Sequence, residues 1–335
     1  MDKKKILFTA LIGALLIVTV FVLINFGSPS KVKINPAFRN YISAFTSGVV
    51  STESVIKIEL ANDFADSSII DKPLEEELFS FYPEIKGHAI WTNSRTIEYH
   101  PDEPMKSNTV YTAKFFISEI MEMPDSLETF VFQFKTTKQE AILEVWEHKA
   151  YQTDRPERER ITGVIKTADV AKTEDVKAGL KATLDGKDLP ISIVPSSERR
   201  SFTFTVDSVV RAKDKNVVDL SFDSDKIGAK GTLEQSVTIP GLNEFVMTGI
   251  RVFGIPEQSL EIQFSDPLMQ DQSLDGLIEL GDLGGLTYLI EDNVIRIYLS
   301  EEESGEFDLK IDKSLQNYKG ETLKESILKT VKFEK

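Results

Sequence analysis

Residues 130–136 read FVFQFKT, and this stretch decides the predicted fold. Its three phenylalanines, Phe130, Phe132 and Phe134, fall on one face of an extended chain, and the residues between them fall on the other. Successive side chains of a strand point to opposite faces, so this alternation is typical of a half-buried antiparallel strand. The stretch therefore predicts a sheet with one face in a core.

The same alternation recurs in both directions from this stretch, with almost no sustained helical periodicity. Similar runs lie at 56–60, 111–117, 180–184, 202–206, 218–222, 260–264, 295–299 and 307–311. Turn residues separate them, such as Asp185-Gly186, which predicts a hairpin because glycine tolerates positive φ. Many short strands between turns predict an all-β chain of sandwiches. One exception is residues 71–79, DKPLEEELF, where the spacing of Leu74 and Leu78 predicts a short helix.

The strands group into three modules of about 100 residues, the usual size of a sandwich. The predicted division is 1–30 for cytoplasmic lysines, anchor and spacer, then sandwiches over 31–138, 139–240 and 241–335. The first and third modules each open on an alternating strand, continue through an acidic leucine-rich connection and end on a strand of the same rhythm. They therefore look like distant copies of one module.

The N-terminus predicts one transmembrane helix. Lys3, Lys4 and Lys5 precede residues 6–26, in which only Thr9, Thr19 and Asn25 are polar. About 20 apolar residues cross a bilayer as a helix, whereas a cleaved signal peptide, the alternative, has an apolar core of about 7–15 residues. The lysines would stay in the cytoplasm. The protein is thus predicted to be membrane-anchored, with the bulk of the chain periplasmic or extracellular.

Residues 35–51, NPAFRNYISAFTSGVVS, allow two interpretations. Asn35 as N-cap and Pro36 in the first helical position are typical of a short helix. The alternation from Tyr41 to Phe45 favours a strand, which is the preferred interpretation in an all-β chain. In both cases the aromatic residues would close the membrane-facing end of the first core.

Composition and residue types limit the chemistry. A net charge of −15 argues against a nucleic-acid partner, and the absence of cysteine excludes disulfides, thiolate metal sites and a cysteine nucleophile. His88 and His100 are interpreted as turn residues and His148 as a strand residue, with no catalytic or metal-ligand spacing around them. No catalytic, cofactor-binding or metal-binding residue is predicted, and no cofactor.

One loop comes close to a calcium motif. Residues 223–234, DSDKIGAKGTLE, match an EF-hand loop at Asp223, Asp225, Gly228 and Glu234. Ile227 stands at a ligand position but cannot coordinate calcium, and the flanking segments are predicted to be strands rather than the helices of an EF-hand. The loop is therefore interpreted as a polar connection.

Five segments carry a family resemblance. YISAFTSGVVSTESVIKIEL (41–60), FSFYPEIKGHAIWTNSRTIEYHPDEPMKSNTVYTAKF (79–115) and FVFQFKT resemble the first domain of bacterial alpha-2-macroglobulin-like protease inhibitors. LEVWEHKAYQTDRPERERITGVIKTADV (143–170) and EIQFSDPLMQDQSLDGLIEL (261–280) resemble the domains that follow it. The resemblance implies tandem macroglobulin/immunoglobulin-like β-sandwiches, immunoglobulin-like at 31–138 and 241–335 and macroglobulin-like at 139–240.

The chain departs from that family in ways that define the expected function. Such inhibitors are much longer, carry a cleavable bait segment, and many hold a Cys-Gly-Glu-Gln thioester, which a chain without cysteine lacks. The expectation is the membrane-anchored N-terminal portion of an endopeptidase inhibitor, a non-catalytic scaffold for a protease trap, read as ending in a cut at Lys335. Its partners would be the missing C-terminal domains of the same protein and proteases reached through them, besides the membrane at residues 6–26. No functional residue of the family is carried over.

Two other functions stay open. The chain could be a complete cell-surface stalk or adhesion protein of immunoglobulin-like modules, binding through loops or strand edges. A β-rich hydrolase with a site between modules ranks last, because the sequence offers no convergent set of polar residues for it.

Overall fold

The computed structural model describes residues 32–334, apart from 67, 75, 151–156 and 255–256. The predicted membrane-spanning run, residues 6–26, lies outside this part. Within the described part, no helix has the length and apolarity needed to cross a bilayer.

The prediction of an all-β chain is confirmed. The described residues form 23 strands and one α-helix, α1 (Thr173–Gly179). Four short 3-10 helices lie at Pro36–Asn40, Ile117–Glu119, Asp125–Leu127 and Ser224–Ile227.

Sandwich 1 has two four-stranded sheets around one core. Its strands are β1 (Ile42–Phe45), β2 (Gly48–Val50), β3 (Ile56–Leu60), β4 (Phe79–Tyr82), β5 (Gly87–Trp91), β6 (Thr96–Pro101), β7 (Val110–Phe116) and β8 (Thr129–Thr136). The sheet orders are β1-β3-β6-β5 and β2-β8-β7-β4, with β2 parallel to β8. Phe130, Phe132 and Phe134 are buried in the core, as the alternation of FVFQFKT predicts.

Sandwich 2 repeats this plan and carries α1 between its second and third strands. Its strands are β9 (Ala141–Ala150), β10 (Arg158–Thr167), β11 (Leu180–Leu184), β12 (Lys187–Asp188), β13 (Ile191–Pro195), β14 (Ser201–Val210), β15 (Asn216–Asp223) and β16 (Thr232–Ile239). The sheets run β9-β10-β14-β13 and β12-β11-β15-β16. The predicted hairpin turn is confirmed, because Asp185 and Gly186 both have positive φ between β11 and β12.

Sandwich 3 is the simplest of the three. Its strands are β17 (Met247–Phe253), β18 (Ser259–Phe264), β19 (Ile278–Leu280), β20 (Thr287–Glu291), β21 (Val294–Tyr298), β22 (Gly305–Ile311) and β23 (Ile327–Phe333). The sheets run β17-β18-β21-β20 and β19-β22-β23. Its core is separate from those of the other two sandwiches.

All three sandwiches share one strand order. When the main strands are lettered A to G along each sandwich, one sheet is A-B-E-D and the other contains C-F-G. That is the order of the immunoglobulin fold. The two acidic connections noted in the sequence both lead into strand C, which is β4 in sandwich 1 and β19 in sandwich 3.

The described chain forms two compact units, one up to Lys138 and one from Gln139. Sandwich 1 is alone in the first unit, and sandwiches 2 and 3 share the second. The three-module division at 138/139 and 240/241 stays a prediction, because compactness alone does not show which parts fold independently.

Two local predictions need correction. In residues 35–51 a 3-10 helix at Pro36–Asn40, capped by the Asn35 side chain, comes before strand β1, so both interpretations hold for adjacent residues. Tyr41 is a turn residue between them and does not belong to the strand. The described residues of 71–79 form no helix, because Pro73 makes a bridge to Ile90 at the edge of β5.

Candidate functional site: a buried ionic junction between sandwiches 2 and 3

A fully buried arginine lies where sandwich 2 meets sandwich 3. Arg211 directly follows β14, and its side chain has no exposed surface. Its guanidinium donates hydrogen bonds to the carbonyl oxygens of Pro240 (3.1 Å), Gly241 (2.8 Å) and Ser265 (3.2 Å) and to both carboxylate oxygens of Asp266 (2.8 and 3.2 Å). One side chain therefore binds sandwich 2, the linker after it and sandwich 3.

Two carboxylates share this guanidinium. Asp266 binds it through both oxygens, and its Oδ2 atom also lies 2.6 Å from the Ser265 hydroxyl. Glu159, which is fully buried, places Oε1 3.5 Å from Arg211 Nε as an ion pair without a hydrogen bond. Its Oε2 atom lies 2.8 Å from His148 Nδ1. We call His148, Glu159, Arg211 and Asp266 the junction cluster.

The linker between the sandwiches is held by its own contacts. Glu244 accepts a hydrogen bond from Gly241 N at 3.2 Å, and its other oxygen lies 3.0 Å from Lys324 Nζ. The Lys324 bond, followed by the Gly241 N–H, lowers the pKa of Glu244 below its ordinary value. Only glycine fits at position 241, because a Cβ there would lie 2.5 Å from Lys213 O.

A second contact joins β9 to the outer face of sandwich 3. Arg251 Nη2 donates to Trp146 O at 2.7 Å and lies 3.4 Å from Glu147 Oε2. Gln263 Nε2 donates to the same Glu147 oxygen at 3.2 Å. All six residues of β18 are buried, although the strand alternates between a core face and an outer face.

This arrangement can fix the direction of one sandwich relative to the next. A charge buried without its partner is costly, so the junction cluster favours the one geometry in which the guanidinium meets both carboxylates. Arg211 also donates to the carbonyl oxygen of Gly241 in the linker, whose backbone therefore cannot pivot freely. The chemistry that these contacts support is positioning.

The structure corrects the placement of two histidines. His88 lies in β5 and His100 in β6, so both are strand residues where turns were predicted. Gly87 opens its strand, and Pro101 closes the other at the point where the ladder ends, so neither breaks the pairing. His148 lies in β9, as predicted, and is part of the junction cluster.

Two clefts are alternative candidate sites. One of about 370 Å³ lies in sandwich 1 and is lined by Glu84, Ile85, Lys86, Asp102, Glu103, Pro104, Met105, Lys106 and Tyr111. Burial, followed by the charges of Asp102, Glu84 and Glu77, raises the pKa of nearby Tyr99. The other, of about 420 Å³, lies between β9, β16 and the start of β17, and includes Trp146 and His148. Both gather mixed polar groups without a recognisable catalytic set.

The loop that resembles a calcium motif is a polar connection between β15 and β16. Asp223 caps a 3-10 helix by accepting from Asp225 N, and Asp225 Oδ1 accepts from Gly231 N at 3.4 Å. These carboxylates therefore serve the turn itself. Among the described residues, no three histidine or acidic side chains converge on a metal position.

Sequence reasoning missed the residues of the junction. Arg211 directly follows one apolar strand, and Asp266 comes two residues after the end of another. Charged residues at such positions are common in surface loops. Their burial depends on two segments 55 residues apart in the chain meeting across a linker. The only local signal is Pro240-Gly241, which marked the boundary but not its partners.

Comparisons with known proteins give only remote likenesses. No protein-family model and no curated protein matches the chain. The ectodomain of mouse nectin-like molecule 4 is 11% identical, with 86% of this chain and 96% of that chain covered and a TM-score of 0.27. Invasin, a bacterial integrin-binding protein, is 13% identical, with 90% and 60% covered and a TM-score of 0.24.

An L,D-transpeptidase from Mycobacterium tuberculosis H37Rv is 10% identical, with 48% of this chain and 61% of that chain covered and a TM-score of 0.22. The chain thus spans about three fifths of this enzyme structure and of the invasin structure. At such TM-scores none of these likenesses carries an argument. The immunoglobulin-type strand order rests on the sheets themselves.

Proposed function

We propose that this chain is a non-catalytic scaffold of the cell envelope whose sandwiches hold other domains in a fixed direction. The junction cluster is the observation that carries the proposal. Burying Arg211, Glu159 and Asp266 costs desolvation energy, and the best-attested use of such a buried ionic group is to select one arrangement of the parts it joins. A scaffold needs that property, whereas an adaptable binding loop does not.

In its more specific form, the scaffold is the membrane-proximal front of an alpha-2-macroglobulin-like endopeptidase inhibitor. The segments at 41–60, 79–115, 130–136, 143–170 and 261–280 support this form by their resemblance to that family. The apolar run at 6–26 would anchor it, and proteases would be met by domains outside this chain. Consecutive sandwiches with one strand order are compatible with such a string of domains.

The test uses the polypeptide as the cell makes it. An antibody against sandwich 1 isolates the membrane-anchored product, which is then incubated with trypsin. Trypsin enclosed by a trap is shielded from casein but remains accessible to a small peptide substrate. We expect loss of casein hydrolysis with the peptide activity retained, from a product much heavier than 37.7 kDa.

A product that does not trap trypsin would mean that the scaffold has a function other than protease inhibition. A product near 37.7 kDa that leaves both activities of trypsin unchanged would overturn the inhibitor and favour a complete stalk or adhesion protein. An Asp266→Asn variant then tests the scaffold itself, with Asp207→Asn as the control on a half-exposed ion pair. Only the Asp266 variant should change the small-angle scattering profile, because only it loosens the junction.

A further inference from the structure

Strand G of sandwich 1 is covered by an extra strand that the described residues of sandwich 2 lack. β2 lies parallel to β8 and pairs with its last three residues, Phe134–Thr136. It exists because strand A of sandwich 1 ends at Phe45 and the chain then crosses to the other sheet. In sandwich 2, strand A is β9, which stays paired with β10 from Ala141 to Ala150. Strand G of sandwich 2, β16, is therefore the edge of its sheet.

A cleft lies at the place in sandwich 2 that β2 fills in sandwich 1. It has a volume of about 420 Å³ and is lined by residues 145–148 of β9, by residues 235–238 near the end of β16 and by the start of β17. Val145 and Val237 belong to this lining and pack against the core of sandwich 2. Cavities of this size, with an apolar lining and a few polar groups, are typical of binding sites.

The edge of β16 also lacks the usual protection. Exposed edge strands ordinarily carry lysine or proline or are covered, because their unpaired N–H and C=O groups attract other strands. Strand G of sandwich 3, β23, carries Lys329 and Lys332. β16 reads TLEQSVTI, without lysine or proline and with Glu234 as its one charged residue. A missing strand alone would make no site, but in sandwich 2 it coincides with a cleft and an unprotected edge.

We propose that this cleft binds an extended segment of another polypeptide, which adds to β16 as a parallel strand. Strand addition gains affinity from main-chain hydrogen bonds and specificity from pockets for alternate side chains. β2 indicates the chemistry of the occupant, because its Val50 packs against the core while Val49 is exposed. The partner segment therefore carries a β-branched apolar residue that faces Val145 and Val237. It gives the scaffold a protein partner and does not require the inhibitor form.

The polar part of the lining favours an uncharged segment. Glu147 and His148 are its two ionisable residues. Glu147 Oε2 lies 3.4 Å from Arg251 Nη2, and His148 Nδ1 lies 2.8 Å from Glu159 Oε2, so both already have partners. A charged side chain entering the cleft would lose hydration without meeting a free opposite charge there.

The test adds the peptide TSGVVST, the sequence of residues 46–52 around β2, to the full chain in detergent. Hydrogen exchange with mass spectrometry follows the amides of β16. We expect saturable protection of β16 at millimolar peptide, with no change in β13, the edge strand of the other sheet.

Two versions of the peptide, N-methylated at alternate residues, separate strand addition from other kinds of binding. Successive N–H groups of a strand point to opposite sides, so only one set of alternate amides can bond to β16. One methylated version should protect β16 and the other should not. Equal effects of the two versions, or failure of TSGVVST to protect β16, would overturn the proposal.

A bulky substitution locates the binding site. Thr238→Trp fills the cleft from an exposed position of its lining and should abolish the protection. Ser192→Trp is the matched control, because it adds the same group to an exposed position of edge strand β13, outside the lining. Circular dichroism verifies that both variants remain folded. Equal loss in both variants, or displacement of the peptide by the neutral oligosaccharide chitotetraose, would also overturn the proposal.

Discussion

At the scale of single residues, the pair between Arg211 and Asp266 can be tested by removing one partner. Asp266→Asn leaves a buried guanidinium with one remaining acid, Glu159, at 3.5 Å. Removing one member of a buried pair typically costs about 3–5 kcal/mol in the free energy of unfolding. We expect a loss of that size in urea unfolding of the full chain.

The control is a second Arg–Asp ion pair, whose charged atoms are also close together but whose side chains are more exposed to solvent. Arg160 Nε and Asp207 Oδ1 are 2.6 Å apart, with both side chains more than a third exposed. Exposed pairs contribute about 0–1 kcal/mol, so Asp207→Asn should stay within that range. If Asp266→Asn cost no more than Asp207→Asn, the junction cluster would not hold the two sandwiches together.

Glu244 gives a pH dependence whose sign follows from its contacts. Its pKa is lowered in the fold, first by the Lys324 bond and then by the Gly241 N–H, from an ordinary value of 4.5. The stabilisation is therefore present above the unfolded pKa and is lost as pH falls through the folded one. Glu244→Gln should be less stable than wild type at pH 7, and the difference should shrink as pH falls below about 4.5.

Urea midpoints of both proteins from pH 7 downward measure this difference. Lys324→Met should reproduce the loss at pH 7, because it removes the first cause of the pKa shift. A difference between wild type and Glu244→Gln that stays constant with pH would exclude the carboxylate as its source.

Residue-level prediction from the sequence succeeded where one face of a strand decides burial. Phe202, Phe204 and Val206 are fully buried, as their spacing predicts. Arg211 is equally buried, but its environment is created by residues 29 to 55 positions away. Local spacing contains no information about such partners, so the junction cluster could not be found from the sequence.

At the scale of elements, Gly163 shows how closely β9, β10 and β14 pack. A Cβ at this position would lie 2.4 Å from Glu144 O and 2.4 Å from Phe204 Cζ. The backbone oxygen cannot move without disturbing the ladder, where the register already shifts beside Gly163. Gly163→Ala should cost about 1–3 kcal/mol by overpacking.

Gly254→Ala is the matched control, because nothing lies within 4 Å of a Cβ there. Both variants lose the conformational freedom of a glycine, but only Gly163→Ala crowds its neighbours. The difference between their melting temperatures therefore measures the cost of overpacking. Equal melting temperatures would mean that the β9–β10 register adapts to the added methyl group.

The elements that sequence reasoning misplaced were decided by pairing over a distance. Residues 71–79 have a helical spacing of leucines, yet Leu74 N donates to Ala89 O and the segment lies along β5. His100 before Pro101 resembles a turn, but β6 is held by β3 and β5 on both sides. Tertiary contacts outweigh local propensity in short segments of this kind.

At the scale of the whole molecule, the amino-acid sequence predicts the fold class and the succession of strands along the chain. It predicts less well how these strands assemble into sheets and units. Alternation identifies which faces are buried, and that is enough to predict an all-β chain. It does not state that the three sandwiches share one order, nor that the second and third form one compact unit. Both facts depend on contacts between strands and modules far apart in sequence.

The two compact units provide the last prediction. Phe132 lies in the core of the unit up to Lys138 and Phe204 in the unit from Gln139, and neither has any exposed surface. Phe132→Asp or Phe204→Asp buries an unpaired charge, which costs more than a sandwich of this size can supply. Hydrogen exchange with mass spectrometry on the full chain then shows which peptides lose protection.

Phe132→Asp should abolish protection in sandwich 1 and leave β14 and β15 protected. Phe204→Asp should do the reverse and should also weaken protection around Asp266, because Arg211 follows the damaged strand directly. Phe202→Leu serves as a control that keeps an apolar side chain at a neighbouring core position. Loss of protection throughout the chain in either aspartate variant would contradict two units, and unchanged protection would contradict the assignment of the core faces.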